Sequence, residues 1–208
     1  NVAADGSFTI AHVDGEYTVV ELGADLGEDV VYIDDFFDPL CPACITFSEA
    51  TGARMGYLLR SQNVAVTYHP VMFLNDRSVG DYSARTAAFV IATAEPAPKL
   101  AFDFIKAVLT YDFIGSSGDM MRPQAEKVED SEYLDLLKEL GATEDQLEVI
   151  DTNKDKYIAY VVLGTEYFTE DKDLAALSPE ADANGNQYVF TPYIIVNHGG
   201  NLSMVGNG

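Results

Sequence analysis

The chain has 208 residues, in which 12 Lys and Arg face 34 Asp and Glu, for a formal charge of −22 and a pI near 4.1. A field of that sign excludes DNA, RNA and anionic membrane surfaces as partners, since each calls for a basic patch. An apolar content of 48% excludes a disordered acidic tail, and the length fits one large domain or one domain carrying an insertion.

The charge is segregated. Residues 1–53 hold eleven acids and no Lys or Arg; all twelve basic residues lie between Arg54 and Lys172, and none follows. The two flanks therefore read as parts of one structure, with a middle of a different kind. Tyr17-Thr-Val-Val-Glu-Leu22, bounded by Gly15 and Gly23, predicts a strand, and Asp29-Val-Val-Tyr-Ile-Asp34 a buried one. The chain then crosses Phe36-Phe37-Asp38-Pro39-Leu40 and meets Cys41-Pro42-Ala43-Cys44. From Pro42 the spacing of Phe47, Ala50, Arg54, Tyr57 and Leu58 predicts a helix, ended by Ser61-Gln62-Asn63. Val64 to Tyr68 is the next strand, which gives β–β–α–β with the cysteines at the strand-to-helix turn.

Residues 81–176 read as helical almost throughout. Predicted helices run from Ser83 to Ala94, from about Lys99 to Tyr111, and from Ser131 to Leu140, the last closed by Gly141. Thr143-Glu-Asp-Gln146 is a capping-box pattern opening the next helix, a further segment from Thr152 to about Phe168 follows it, and Gly115 to Gly118 with Pro123 mark a loop between the two pairs of helices. Val189 to Val196 predicts a strand with Pro192 near its start, where a proline removes a ladder donor. Asn197 to Gly200 is a turn, and Leu202 to Val205 a short edge strand. No repeat is present, and the longest apolar run, Tyr157 to Leu163, is far below the ~18 residues of a membrane span. The start at Asn1, without Met or a basic leader, reads as a processed or trimmed chain whose export signal or anchor, if one existed, is gone.

Cys41 and Cys44 are the only cysteines, so a disulfide scaffold and a four-thiolate zinc site are excluded. Thiols three apart at a helix start can close a small disulfide. The first sulfur lies beside unpaired backbone N–H groups and the positive end of the helix dipole, which favour thiolate. Pro42 suits the first turn because its missing N–H has no partner there. Two alternatives stand beside a redox centre: half of a metal site completed from His12, His69 and His198, and a static disulfide whose short loop stabilises little.

Asp35-Phe-Phe-Asp-Pro-Leu-Cys41-Pro-Ala-Cys44 resembles the D/E-F-F-x-x-x-C-P-x-C signature of DsbA-like thiol:disulfide oxidoreductases. The helical stretch between the strands at Val64 and Val189, and Thr191-Pro192 before Tyr-Ile-Ile-Val-Asn, are similar to that family too. The resemblance covers roughly Tyr17 to Asn197. It implies an α/β thioredoxin-like fold, a central mixed sheet flanked by helices, made from 1–80 and 177–208 with an all-α insertion at 81–176. It implies Cys41 as the exposed nucleophile, Cys44 as the buried resolving cysteine and Pro192 as a cis-proline. Substrate would lie against Pro42, Ala43, Thr191 and Pro192, the Thr191 backbone pairing with an extended segment. Asp35 would be the buried acid that moves the proton of Cys44, with Asp34 and Asp38 as rivals.

The implied activity is the introduction of disulfides into exported, cysteine-containing proteins. No cofactor is implied beyond the Cys41–Cys44 disulfide, and a membrane-bound partner would reoxidise it. The expected setting is the periplasm or cell envelope, and the expected state a monomer. A reductase or isomerase of the same fold is the first alternative, and a redox-inactive peptide-binding module the second. Two departures from the family count. Ala43 stands where well-known oxidases carry His, and no cation lies near in sequence, so Cys41 is expected to be less acidic, the disulfide less oxidising, and activation to come from backbone dipoles alone. Members also close with a helix, whereas the chain stops at Gly206-Asn207-Gly208, so either that helix has been cut away or the fold is finished differently. Among weaker signals, Asp151-Thr-Asn-Lys-Asp155 resembles an EF-hand start but lacks its Gly and Glu and reads as an N-terminal helix turn. Asn201-Leu-Ser203 is a formal glycosylation sequon, and His69-Pro70 a possible active-site rim.

Overall fold

Asp14-Gly15 turns the chain back on itself. Both residues have positive φ, 52° and 87°, the backbone of a two-residue hairpin turn, and they join β1 (Phe8–Val13) to β2 (Glu16–Val20). The sequence reading placed no strand before Tyr17. β1 escapes a period-two pattern because it is covered on both faces: Phe8, Thr9, Ile10 and Ala11 are all buried.

The computed structural model describes residues 1–61, 63–114 and 127–205; the loop predicted at Gly115 to Gly118 and Pro123 lies outside them. Its further strands are β3 (Val31–Phe37), β4 (Val64–Pro70), β5 (Tyr193–His198) and β6 (Asn201–Val205). They form one six-stranded sheet in the order β2-β1-β4-β3-β5-β6, parallel between β3 and β4 and antiparallel elsewhere. Helix α1 (Pro42–Leu59) links β3 to β4. Between β4 and β5 come α2 (Tyr82–Ala94), α3 (Pro98–Val108), α4 (Asp130–Glu139), α5 (Glu144–Glu170) and α6 (Lys172–Leu177).

Two strand boundaries differ from expectation. β3 does not stop at Asp34 but runs on through Phe37, because alternation lets adjacent acids point to opposite faces of one strand. Asp35 shares a face with Ile33 and Phe37, which join the main core with Ile45 of α1 and Phe104 of α3. Asp34 shares the other with Phe36, which packs on Phe168, Leu174 and Tyr193. β5 starts at Tyr193, after Pro192, so the proline removes no donor from the ladder.

Every residue of α2 except Arg85 is buried, as for a helix enclosed by its neighbours. Its polar side chains are satisfied: the hydroxyls of Thr86 and Tyr133 are 2.7 Å apart, and Ser83 Oγ donates to Asp38 at 2.6 Å. The capping box of Thr143 and Gln146 starts α5. This helix runs unbroken for 27 residues, so Asp151 to Asp155 lies well inside it and is not the opening turn the sequence suggested. Asn201 and Ser203 are exposed on β6. Among the described residues no helix is long and apolar enough to cross a membrane.

Candidate active site

β3 ends at Phe37, and within four residues the chain turns through Asp38-Pro39-Leu40 into α1. Cys41 is the N-cap of α1, with φ −73° and ψ 118°, Pro42 is in the first turn, and that turn holds no acid. No side chain caps the helix in the ordinary way. The backbone N–H groups of Cys44 and Ala43 at this helix start help to lower the Cys41 thiol.

The two thiols are driven apart in acidity. The Cys41 thiol is lowered to about 6, chiefly by a hydrogen bond from the Cys44 thiol; burial opposes, and the Thr191 hydroxyl and the two backbone N–H groups assist. Burial, with the hydrogen bond and charge of Cys41, pushes the Cys44 thiol well up. Activation by backbone dipoles alone therefore does not hold, because the largest contribution comes from the partner thiol. Cys41 is also only 7% exposed, so the expectation of an exposed nucleophile is corrected. Its Sγ lies 3.3 Å from the Thr191 carbonyl oxygen, to which it donates, in the segment that enters β5, the strand paired with β3.

The Thr191–Pro192 peptide is cis, and both residues sit against the cysteine pair: Thr191 through its carbonyl and Pro192 in the wall of a cavity shared with Cys44. Pro42 and Ala43 are half-buried at the start of α1 beside Cys41.

The three acids have three environments. Asp35 lines the cavity behind Cys44, and burial alone pushes its carboxyl up to about 7. Asp38 is fully buried and accepts from Leu40 N (2.9 Å), Ser83 Oγ (2.6 Å) and Leu74 N (2.9 Å). Burial pushes it to about 7 as well, against the pull of those three donors and with the charge of Cys41 adding. Asp34 faces away and meets His69 Nε2 at 2.9 Å, while the His69 ring stacks on Phe36 with centroids 3.9 Å apart. His69 thus lies on the other face of the sheet from the Cys44 cavity and does not form its rim. His12 packs edge-on against Tyr17, and among the described residues no group of three or more His, Cys, Asp or Glu is arranged to hold a metal ion. Sequence reasoning missed Ser83, Leu74 and Tyr68 as neighbours of this site. Only the Asp38-Pro39 turn signal hinted that Asp38 would be held by backbone donors.

No protein-family model matches the chain. Over 190 residues, 88% of the chain, it is 27% identical to the serine/threonine-protein kinase PknE of Mycobacterium tuberculosis, and equally to that of Mycobacterium bovis. It spans only 31% of the length of these curated relatives. Solved structures match more completely. Reduced DsbA from Mycobacterium tuberculosis superposes with a TM-score of 0.64 at 21% identity, over 98% of this chain and 86% of that one. MdbA from Actinomyces oris, a thiol-disulfide oxidoreductase, gives 0.65 at 17% identity, over 99% and 79%. Oxidised BdbD from Bacillus subtilis gives 0.58 at 19%, over 99% and 86%. The chain has the DsbA-like fold, a thioredoxin-type mixed sheet with flanking helices.

Proposed function

We propose that the protein is a thiol:disulfide oxidoreductase that passes a Cys41–Cys44 disulfide to cysteine-containing exported proteins. The observation that carries this is the division of labour between the thiols: Cys41 lowered to about 6 at a helix N-terminus, Cys44 buried behind it and raised. A low-pKa sulfur is both the better nucleophile at neutral pH and the better leaving group, and a protonated partner close by resolves the mixed disulfide. A substrate thiolate attacks Cys41 Sγ, Cys44 leaves, and a second substrate thiol then displaces Cys41 to release an oxidised product. Thr191 and Pro192, with Pro42 and Ala43, frame the place where an extended substrate segment lies. Asp35 supplies and takes up the proton of Cys44. A membrane-bound partner restores the disulfide in an extracytoplasmic compartment, and the helices from α2 to α6 form an insertion in the thioredoxin-like frame.

A reductase of the same fold is the second reading, favoured by Ala43 and by a Cys41 value of about 6 against ~3.5 in a strong oxidase. Equilibration with glutathione separates them: a potential near about −120 mV marks an oxidase and one near about −270 mV a reductase. A protein whose Cys41→Ser form still catalyses thiol exchange has its activity elsewhere.

A further inference from the structure

Gly52, Gly56 and Arg60 recur every four residues and so lie along one face of α1, the face turned to α3. A glycine inside a helix costs ~1 kcal/mol relative to alanine, and here packing requires it. A Cβ on Gly56 would meet the Phe102 ring at 2.9 Å, and one on Gly52 would rest on the Lys106 stem at 3.4 Å. The bare turns leave a groove of about 420 Å³, whose walls also include Tyr17 of β2 and Lys99 of α3. The approach of α3 explains the glycines but not the cations. Arg60, Lys99 and Lys106 line the groove against a single acid, Asp103. The Arg60 side chain doubles back along its own helix, with Nη1 3.8 Å from where a Gly56 Cβ would stand. Lys106 Nζ lies over the Phe102 ring, 5.2 Å from its centroid. Two cations therefore stand beside one ring, in a chain whose charge of −22 leaves acids in excess. Among the described residues neither Arg60 nor Lys99 is ion-paired, and Lys106 has only Asp103, at 3.5 Å.

We propose that this groove binds a small multivalent oxyanion, a molecule that carries phosphate groups or several carboxylates. Cations gathered without partners repel one another until an anion joins them, and a cleft of one sign focuses the field on its occupant. The Arg60 fork matches a phosphate or a carboxylate through two parallel hydrogen bonds, while Lys99 and Lys106 supply point charges. The volume is that of a small-molecule site. The net charge argues for a small occupant too: an acidic protein would meet repulsion across a broad interface, a small ion only within the groove. Neither cysteine lines the groove, so binding is independent of the thiol–disulfide activity proposed above.

Isothermal titration calorimetry of the whole chain near neutral pH and at constant ionic strength tests this with inorganic tripolyphosphate, citrate and an oligoglutamate peptide. Saturable binding of tripolyphosphate or citrate is expected, with a dissociation constant below ~1 mM. A response to tripolyphosphate alone assigns the groove to phosphate groups, one to citrate alone to carboxylates, and one to both to multivalent oxyanions at large. Arg60→Gln and Lys99→Gln should each weaken binding ~10-fold, as the loss of one charge-assisted hydrogen bond would, while circular dichroism shows the chain still folded. Lys172→Gln removes an equal charge from the exposed start of α6 and should leave binding unchanged. Heat from neither ion, a groove variant that binds as wild type does, or an equal loss in Lys172→Gln would each overturn the proposal. So would tighter binding of the oligoglutamate peptide than of both ions, which would make the groove a seat for an acidic chain.

Discussion

Cys41 Sγ donates to the carbonyl oxygen of Thr191 at 3.3 Å, a contact between residues 150 positions apart. Among the described residues the buried Thr191 hydroxyl makes no hydrogen bond of ordinary geometry, so its lowering influence on both thiols is that of a nearby dipole. Thr191→Val removes that hydroxyl and keeps the backbone. The Cys41 thiol is expected to rise by less than the loss of a full hydrogen bond would give, read from thiolate absorbance in the ultraviolet. An unchanged titration removes the hydroxyl from the account.

Protonation and stability are linked with opposite signs at the two kinds of group. Cys41 sits at about 6 in the folded dithiol protein, below its unfolded value near ~8.5. Its contribution is complete above the unfolded value and is lost as pH falls through about 6. Asp35 and Asp38 sit at about 7, above the ordinary carboxylate range, so their contribution is present at acid pH and is lost as pH rises through about 7. Melting the dithiol and disulfide forms across pH separates these: the difference between them should move in favour of the dithiol form from about pH 6 to pH 9.

Asp38 ties the active-site turn to the segment before α2, through Leu74 N and Ser83 Oγ. Asp38→Ala leaves three buried donors unpaired, and a loss of ~2–4 kcal/mol is expected from the shift of the urea midpoint. Ser83→Ala removes one donor and should cost about 1 kcal/mol.

Gly164 lies inside α5, where Ala would ordinarily gain ~1 kcal/mol. Here a Cβ would collide with the backbone carbonyl of Asp5, which cannot swing aside as a flexible side chain can. Gly164→Ala is expected to lose ~1–3 kcal/mol on thermal denaturation, the opposite sign to propensity.

On the proposed activity, the charge of −22 predicts a preference among substrates. Exchange with an acidic cysteine peptide should be slower than with a basic one at low salt. The gap should narrow as added salt brings the screening length to ~8 Å. Rates at two ionic strengths decide it.

Much of this was legible in the sequence because it is local. The turn from strand to helix, the place of Pro42 in the first turn and the capping box of Thr143 and Gln146 are encoded by neighbours in the chain. What was missed is non-local. β1 hides because a strand covered on both sides carries no alternation, although Asp14-Gly15 was a readable hairpin signal. The burial of Cys41 comes from Thr191, and the satisfaction of Asp38 from Leu74 and Ser83; no spacing near the cysteines announces either. The activation of Cys41 was ascribed to the helix terminus because sequence shows the helix start but not that the second thiol points back at the first.

The 7% exposure of Cys41 also limits which molecules can meet it. On the proposed activity, a sulfur so covered by the Thr191 backbone would be met more readily by a slender, unstructured strand than by a thiol on a rigid, folded surface. The proposed exchange would then discriminate by conformation rather than by residue identity, favouring chains still unfinished over those that have completed folding.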